Sequence, residues 1–223
     1  MMTNDFSAIL NALAEAPLAA NELCRVFHGR GHSVAELSHI NLDFYPPALF
    51  LVSYEEIDEQ VLAQLTDTLW QWAQQNAPEL VSALVYQQRS GINTRNALMF
   101  DVLPQEHHVS ENGIKFKVDL LSRQNTGVFP DMRRGREFVQ ANSKNAKVLN
   151  LFSYTCGFSV AAMQGGADQV INMDMNKGGL RTGKQNHQLN GFAQGVSYLP
   201  HDILKSFGKL KKSAPYELII VDP

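Results

Sequence analysis

The chain has 223 residues, and 44% of them are hydrophobic. This composition excludes a disordered protein and is sufficient for one large or two modest domains with a core. A formal net charge of -3 and a pI near 6.1 exclude a surface that binds polyanions everywhere, so a nucleic-acid contact would need a local basic patch. The two cysteines, Cys24 and Cys156, lack the spacing of a zinc framework and argue against a disulfide scaffold, so we expect no metal site and a reducing compartment.

The N-terminal apolar stretch is the first segment to interpret. It runs from Phe6 to Ala20 and is interrupted by Asn11, Glu15 and Pro17. Such interruptions are wrong for a signal peptide or a membrane span. We therefore expect a cytoplasmic protein with no membrane contact.

Helical and strand patterns then follow in the N-terminal half. Apolar residues recur at helical spacing from Ile57 to Trp72, and Pro78 closes the segment, which predicts an amphipathic helix. Asn112-Gly113 predicts a hairpin turn, because both positions tolerate positive φ. Strands are predicted at Ala48 to Val52, Ala83 to Gln87, Ala97 to Leu103 and Ile114 to Leu120. These elements predict a smaller α/β domain over residues 1–120.

From Lys147 onward, strands alternate with helices. Strands are predicted at 148–152, 169–174, 196–199 and 218–221, and helices at 158–164, about 176–190, and 204–212. Alternation at this spacing implies right-handed crossovers and a parallel sheet. The sequence therefore predicts a Rossmann-like α/β domain over residues 121–223, with a ligand at the carboxyl ends of its strands.

The turn after the first of these strands carries the ligand signal. Residues 150–158 join that strand to its helix, and Asp174 ends the next strand, so both reach one crevice. A carboxylate there can accept hydrogen bonds from both ribose hydroxyls of an adenosine cofactor. A dinucleotide would need G-x-G-x-x-G to bind its pyrophosphate, but the core of the turn has only Gly157. The pattern favours S-adenosylmethionine, with an ordinary ligand-free turn as the alternative.

Two longer motifs agree with this interpretation. One is Val-Leu-Asn-Leu-Phe-Ser-Tyr-Thr-Cys-Gly-Phe-Ser-Val at 148–160, with Gly165-Gly166-Ala167 and residues 186–191 downstream. The other, Gln124 to Arg136, follows the pattern Q-x-T-G-x-F-x-D-x-R-x-x-R. Over about residues 80–223 the chain resembles the bacterial 23S ribosomal-RNA methyltransferase family that includes the large-subunit cytosine-C5 enzymes. The resemblance implies a class I methyltransferase domain, S-adenosyl-L-methionine as cofactor and ribosomal RNA as partner.

The resemblance also implies residue roles. The expected cofactor-binding residues are Phe152, Ser153, Tyr154, Thr155, Gly157, Asp174, Met175, Asp202, Thr126, Asp131, Arg133 and Arg136. Among them, the turn would hold the methionine part, Asp174 the ribose, and Asp202 with His201 the adenine edge. Asp222 and Pro223 match the start of an Asp-Pro-Pro motif under the target base and are the expected catalytic residues. Cys156 replaces a glycine that is common in the family.

Two clusters of basic residues have alternative interpretations. Arg123, Arg133, Arg134 and Arg136 surround Asp131 in sequence, and the resemblance implies a loop that closes over the cofactor. The alternative is a solvated helix start with an Asp131–arginine pair. Likewise His28, Arg30, His32 and His39 are candidates for an RNA or phosphate contact, with structural roles as the alternative.

The last strand raises the question of completeness. In the family, the domain continues after Asp-Pro with further strands, so we expect this chain to be an incomplete methyltransferase domain that binds the cofactor weakly at best. An apolar strand at a sheet edge also favours association, including a homodimer.

Other functions remain open from the sequence. Methyl transfer from a sulfonium needs alignment and a dry site rather than a conventional triad, and neither cysteine matches the family's catalytic position. The alternatives are a non-catalytic S-adenosylmethionine- or RNA-binding remnant, and a methyltransferase acting on protein or a small molecule. A nucleotide-dependent oxidoreductase is disfavoured by the single glycine of the turn.

Overall fold

A computed structural model describes residues 5–31, 34–90, 94–122 and 125–223. The chain divides into two compact units, Met1–Ser110 with Val118–Thr126 and Glu111–Lys117 with Gly127–Pro223. We call them the N-terminal unit and the C-terminal unit. Residues 111–117 thus belong to the C-terminal unit, residues 118–126 to the N-terminal unit, and residues from 127 onward to the C-terminal unit again. The sequence had predicted a single boundary at residue 120. His32, Arg123 and Gln124 lie outside the described residues.

The N-terminal unit is built on a five-stranded sheet whose strands lie in chain order. Its helices are α1 (Ser7–Glu15) and α2 (Glu59–Asn76). Its strands are β1 (Cys24–His28), β2 (Ile40–Tyr45), β3 (Ala48–Ser53), β4 (Ala83–Gln88) and β5 (Arg95–Asp101). The β3–β4 pair is parallel, because α2 forms the crossover between them, and the other pairs are antiparallel.

Apolar residues recur with a period of 2 in the strands and 3.6 in the helix, which explains how the core of this unit forms. Leu42 and Phe44 of β2 face the same core as Leu65 and Leu69 of α2, and all four are buried. Asp58 caps α2 by accepting hydrogen bonds from the amides of residues 60 and 61. The predicted α2, β3 and β4 are confirmed, β5 lies two residues earlier than expected, and α1, β1 and β2 were not predicted.

A hairpin precedes the second half of the chain. Strands β6 (His108–Glu111) and β7 (Ile114–Lys117) form a two-stranded sheet. Asn112 and Gly113 have φ values of 53° and 78°. Positive φ at both central residues is the requirement of a type I′ turn, so the predicted hairpin is confirmed.

The C-terminal unit contains a four-stranded, fully parallel sheet in the order β10–β9–β8–β11. The strands are β8 (Lys147–Leu151), β9 (Gln169–Met173), β10 (Val196–Leu199) and β11 (Leu218–Val221). The helices are α3 (Arg133–Ala141), α4 (Gly157–Gln164), α5 (Lys177–Leu189) and α6 (Phe207–Ser213). The predicted Rossmann-like α/β class is confirmed. Helix α6 begins later than expected, since Asp202 Oδ1 accepts a hydrogen bond from the amide of Leu204 at 2.9 Å and forms a turn there.

The two faces of this sheet are covered differently. On one face, which we call the α4 face, Val148, Val170 and Ile220 pack with residues of α3 and α4. On the opposite face, the α6 face, Leu149 and Ile171 pack with a short stretch that includes α6. Strand order reverses between β8 and β11, which makes the carboxyl ends of these two strands the topological switch point. None of the helices in the described residues combines the length and the apolar character needed to span a membrane.

Candidate functional site

The turn from β8 to α4 has an unusual backbone. Phe152, Tyr154 and Cys156 have φ values of 54°, 43° and 63°. Left-handed conformations of non-glycine residues cost on the order of 1–3 kcal/mol each and cluster at ligand-binding sites. The turn is held by backbone hydrogen bonds from Ser153 N to Met173 O at 3.3 Å and from Cys156 N to Ser153 O at 2.6 Å. The surrounding structure therefore fixes a conformation that the chain would not adopt alone.

Helix α5 supports the same turn from behind. The buried Asn186 donates a hydrogen bond from Nδ2 to Thr155 O at 3.0 Å and accepts one at Oδ1 from Lys117 N at 2.9 Å. At Gly183, a Cβ would collide with the side chain of Cys156. The Cys156 side chain is thus accommodated by a glycine on the neighbouring helix.

Cys156 has no nucleophilic role in this arrangement. It is fully buried, and burial raises the pKa of its thiol to about 12. A thiol with such a pKa is un-ionised at neutral pH, and the thiolate is the reactive form. The residue therefore fills space beneath the turn.

Asp174 links the ends of β8 and β9. Its Oδ2 accepts a hydrogen bond from Tyr154 N at 2.8 Å, and its Oδ1 accepts one from Asn176 N at 2.7 Å. Each carboxylate oxygen can accept a second hydrogen bond, and the residue is only half-buried. The carboxylate is thus fixed in place and retains acceptor capacity toward solvent.

A pocket opens at the switch point between β8 and β11. Seven of the sequence-predicted residues line it: Phe152, Ser153, Tyr154, Thr155, Gly157, Arg136 and Asp222. Phe129 also lines it, with its ring 6.3 Å from that of Tyr154. The pocket lies outside the carboxyl ends of the strands, where open α/β sheets bind their ligands.

One atom in this pocket lacks a partner. Ser153 is 6% exposed, and its Oγ makes no hydrogen bond within the described part of the chain. Helix α4 begins nearby at Gly157 without a side-chain cap, so its first amides carry a partial positive charge. Because buried hydroxyls are nearly always hydrogen-bonded, Ser153 and α4 together fit a bound group that supplies a carboxylate.

The remaining predicted residues lie elsewhere. Thr126 belongs to the N-terminal unit, where its buried hydroxyl is 3.1 Å from the Tyr45 hydroxyl. Asp131 and Pro223 are exposed, and Met175 is 70% exposed. Asp202 accepts the Leu204 amide hydrogen bond and lies 3.5 Å from Lys205 Nζ. The structure therefore brings Arg136, Asp222 and five residues of the turn to one pocket, and Asp174 is hydrogen-bonded to that turn.

The arginines of α3 have carboxylate partners. Arg136 donates to both oxygens of Glu111, at 2.6 and 2.8 Å, and to Phe129 O at 2.7 Å. Both side chains of this pair are buried. Arg133 and Arg134 instead pair with Glu137. Arg136 thus anchors α3 to the hairpin while its charge is neutralised.

Sequence reasoning missed a buried polar network on the α4 face. Asn150 Nδ2 donates to Asn172 Oδ1 at 2.9 Å, and Asn172 Nδ2 donates to Ser159 Oγ at 3.0 Å. His187 Nδ1 lies 2.8 Å from Gly183 O, so Nδ1 is the protonated nitrogen and Nε2 accepts from Ser159 Oγ at 2.9 Å. Burial lowers the pKa of His187, which keeps the ring neutral. The signal for this network in the sequence was the presence of asparagines inside otherwise apolar strands.

Similarity to known proteins agrees with this geometry. The family model of S-adenosylmethionine-dependent methyltransferases matches residues 24–223. The chain belongs to this family. Ribosomal RNA large subunit methyltransferase I of Aeromonas salmonicida is 32% identical to this methyltransferase-family chain over 145 residues, which are 64% of the chain and 37% of that relative. The chain thus spans little more than a third of that relative's length.

Solved structures share the fold. A candidate S-adenosylmethionine-dependent methyltransferase from Streptococcus mutans superimposes with a TM-score of 0.80 at 23% identity, covering all of this chain and 60% of that one. A structure of a candidate methyltransferase complexed with S-adenosylhomocysteine gives the same TM-score and identity and covers 59% of that chain. These similarities extend over both units of the family member described here.

Proposed function

We propose that this chain binds S-adenosylmethionine at the β8–α4 turn and transfers its methyl group to ribosomal RNA. The observation that carries the proposal is the β8–α4 turn, which lines the switch-point pocket with an unsatisfied buried hydroxyl, leads into an uncapped helix N-terminus and is hydrogen-bonded to the Asp174 carboxylate. An amino acid carboxylate would match Ser153 and α4, and ribose hydroxyls would match the free acceptor capacity of Asp174.

The predicted residues would contact different parts of the cofactor in the proposed site. Phe152, Ser153, Tyr154, Thr155 and Gly157 would surround the methionine part. Asp174 and Met175 would contact the ribose, and Asp202 the adenine edge. Arg136 lines the same pocket, and Asp131 and Arg133 precede it in the chain; these three would also bind the cofactor. The bound cofactor supplies a methyl group on a positively charged sulfonium.

The electrostatics of the pocket suit a sulfonium. Arg136, the only arginine among the described residues that line it, is held by Glu111 in a buried two-hydrogen-bond pair. An uncompensated cation would repel the sulfonium, and this pair removes that repulsion. Phe129, Phe152 and Phe158 add apolar surface that limits water, as an in-line displacement requires.

The substrate side is proposed at the end of β11. Asp222 lines the pocket, and Pro223 follows it, so both would lie beneath the target base. The proposal of a ribosomal RNA substrate is supported by the printed name of the relative at 32% identity. A protein or small-molecule substrate is the competing proposal.

The cofactor proposal is tested by calorimetric titration with S-adenosylhomocysteine. Asp174→Ala should abolish measurable binding, whereas Asp168→Ala should bind as the wild type does, because exposed Asp168 precedes the opposite end of the same strand. Equal binding by Asp174→Ala would overturn the ribose role. No binding by the folded wild-type chain would overturn the cofactor proposal.

The substrate proposal is tested by transfer of a radiolabelled methyl group. Incubation of the chain with labelled S-adenosylmethionine and a 23S ribosomal RNA transcript should label the RNA. Label in a protein fraction or a small molecule, with none in RNA, would support the competing substrate. Binding of S-adenosylhomocysteine without transfer to any substrate would support the non-catalytic alternative.

Association through the last strand is also proposed. Within the described residues, β11 pairs only with β8, and Ile219 and Val221 are 54% and 60% exposed. An open strand edge with apolar side chains favours pairing with a second copy. Sedimentation velocity should show a concentration-dependent dimer, and a monomer at all concentrations would contradict it.

A further inference from the structure

Two arginines lie against one tyrosine ring in the N-terminal unit. The guanidinium carbon of Arg30 is 4.4 Å from the centroid of the Tyr54 ring, and that of Arg89 is 5.9 Å away. We call these three residues the arginine–tyrosine surface. None of the described residues that line the switch-point pocket belongs to this unit.

The topology of the sheet explains why these residues meet. Arg30, Tyr54 and Arg89 follow the carboxyl ends of β1, β3 and β4. Strands β1 and β3 are each antiparallel to β2, and β4 is parallel to β3, so all three strands run in the same direction. Their carboxyl ends therefore lie along one edge of the sheet. Three segments that are distant in sequence are brought together there by strand order alone.

Local hydrogen bonds fix the backbone beneath the surface. Tyr54 N donates to His39 O at 2.8 Å, and Arg89 N donates to Ser53 O at 2.7 Å. The Tyr54 hydroxyl accepts a hydrogen bond from Asn41 Nδ2 at 3.3 Å. At Gly29, any Cβ would collide with the carbonyl oxygens of residues 37 and 40, so this glycine lets the turn that carries Arg30 lie directly on the sheet.

The charge of the surface is local and accessible. Arg30 and His28 are exposed, while Tyr54 and Arg89 are half-buried. Arg25, on the same edge strand, is already paired with Asp43 at 2.7 Å. Because the net charge of the chain is -3, a nucleic-acid contact needs a local basic patch, and the arginine–tyrosine surface is such a patch.

The geometry points to single-stranded RNA as the occupant. The Arg30 guanidinium lies over the Tyr54 ring with one face, so its other face can stack on a base while its N–H groups donate to phosphate oxygens. Stacking on aromatic and arginine planes is the usual means of binding unpaired RNA bases. We propose that the arginine–tyrosine surface binds an unpaired segment of the RNA substrate, with a base stacked on Arg30, a phosphate contact from Arg30 and the positive charge of Arg89 beside it; this rests on the proposed RNA substrate.

The test measures binding of the full chain to a fluorescein-labelled, unstructured twelve-nucleotide RNA by fluorescence anisotropy. Arg30→Ala should weaken binding by about tenfold, as expected for the loss of a stacked base and an ionic contact. Arg30→Lys retains the positive charge but lacks the planar guanidinium, so its RNA affinity should lie between those of Arg30→Ala and the wild type. Arg95→Ala is the matched control, since this exposed arginine lies in the same unit among Glu56, Asp58 and Glu59 and should bind RNA as the wild type does.

The outcomes separate this inference from the cofactor proposal. Each variant should titrate with S-adenosylhomocysteine as the wild type does, which also shows that it is folded. Wild-type affinity in Arg30→Ala, an equal loss in Arg95→Ala, or full recovery in Arg30→Lys would each overturn the stacked contact. Tighter binding to a duplex of the same length would overturn the preference for unpaired RNA. A chain that binds S-adenosylhomocysteine but no RNA would overturn both this inference and the proposed RNA substrate, while the cofactor proposal would stand.

Discussion

The two faces of the parallel sheet in the C-terminal unit differ in how they are stabilised. On the α4 face, the sheet residues Asn150 and Asn172 are buried and hydrogen-bonded to each other, and the network continues to Ser159 and His187. On the α6 face, the sheet residues Leu149 and Ile171 pack in an apolar cluster, and Ile219 of β11 remains 54% exposed. The difference arises first from the strands, in which Asn150 and Asn172 alternate with the apolar Leu149 and Ile171, and then from the polar side chains that α4 and α5 add on one face.

This difference explains where the candidate site forms. Buried hydrogen bonds have strict geometry, so the α4 face holds β8, β9, α4 and α5 in one arrangement and thereby fixes the turn between β8 and α4. Apolar contacts are non-directional and tolerate adjustment. Asp174 is held by two hydrogen bonds at the end of β9, whereas Asp222 follows β11, in which Ile219 is half-exposed.

The largest effect is expected from the anchor of α3. Arg136→Ala would leave the buried carboxylate of Glu111 without its partner, so the free energy of unfolding should fall by about 3–5 kcal/mol. Hydrogen exchange of peptides from α3 and α4, together with urea denaturation followed by circular dichroism, measures this. Arg134→Ala, whose side chain is 92% exposed, should leave stability unchanged. Equal effects from the two variants would show that Arg136 is no anchor.

A direct comparison of the faces uses one substitution on each. Asn172→Ala removes the acceptor for Asn150 and the donors to Ser159 Oγ and Ser197 O, and should cost about 2–3 kcal/mol. Ile219→Ala should cost about 1 kcal/mol or less, because the side chain is half-exposed. Chemical denaturation of both variants checks the order. If Ile219→Ala were the more damaging, the contrast between the faces would be contradicted.

The smallest effect concerns pH. Burial lowers the pKa of His187 below its ordinary 6.5, so the unfolded chain takes up this proton first as the pH falls. The stabilising contribution of neutral His187 is therefore complete above pH 6.5 and is lost progressively below it, by at most about 1.4 kcal/mol per pH unit. Wild type should lose more stability than His187→Gln between pH 7.5 and 5.5. Buried His107 contributes to both chains and cancels in the difference. If the stability of the two chains changed with pH in the same way, His187 would be excluded as the source of the pH dependence.

Much of the C-terminal fold was predictable because its signals are local. Strands at 196–199 and 218–221 were predicted at their observed bounds, and the parallel arrangement followed from the alternation of strands and helices. The turn and Asp174 were predicted to share a crevice because parallel strands end at one edge. Cofactor binding by these residues remains a prediction.

Other features depend on partners that are distant in sequence. Strand β2 contains Asn41 and Asp43, which resemble loop residues until the Arg25 side chain and the Tyr54 hydroxyl are seen to pair with them. The role of Arg136 depends on Glu111, which lies across a hairpin. Residues that satisfy each other over such separations leave no periodic pattern, so local reasoning could not find them.

The contact between Cys156 and Gly183 has an evolutionary consequence. Since the cysteine side chain occupies the volume that a Cβ at position 183 would need, a side chain fits at 183 only after residue 156 has become smaller, whereas residue 156 can change alone. A lineage that acquires a side chain at 183 must first reduce the residue at 156 to glycine, passing through an intermediate with a small void rather than one with a collision. The order of the two substitutions is thereby set by packing.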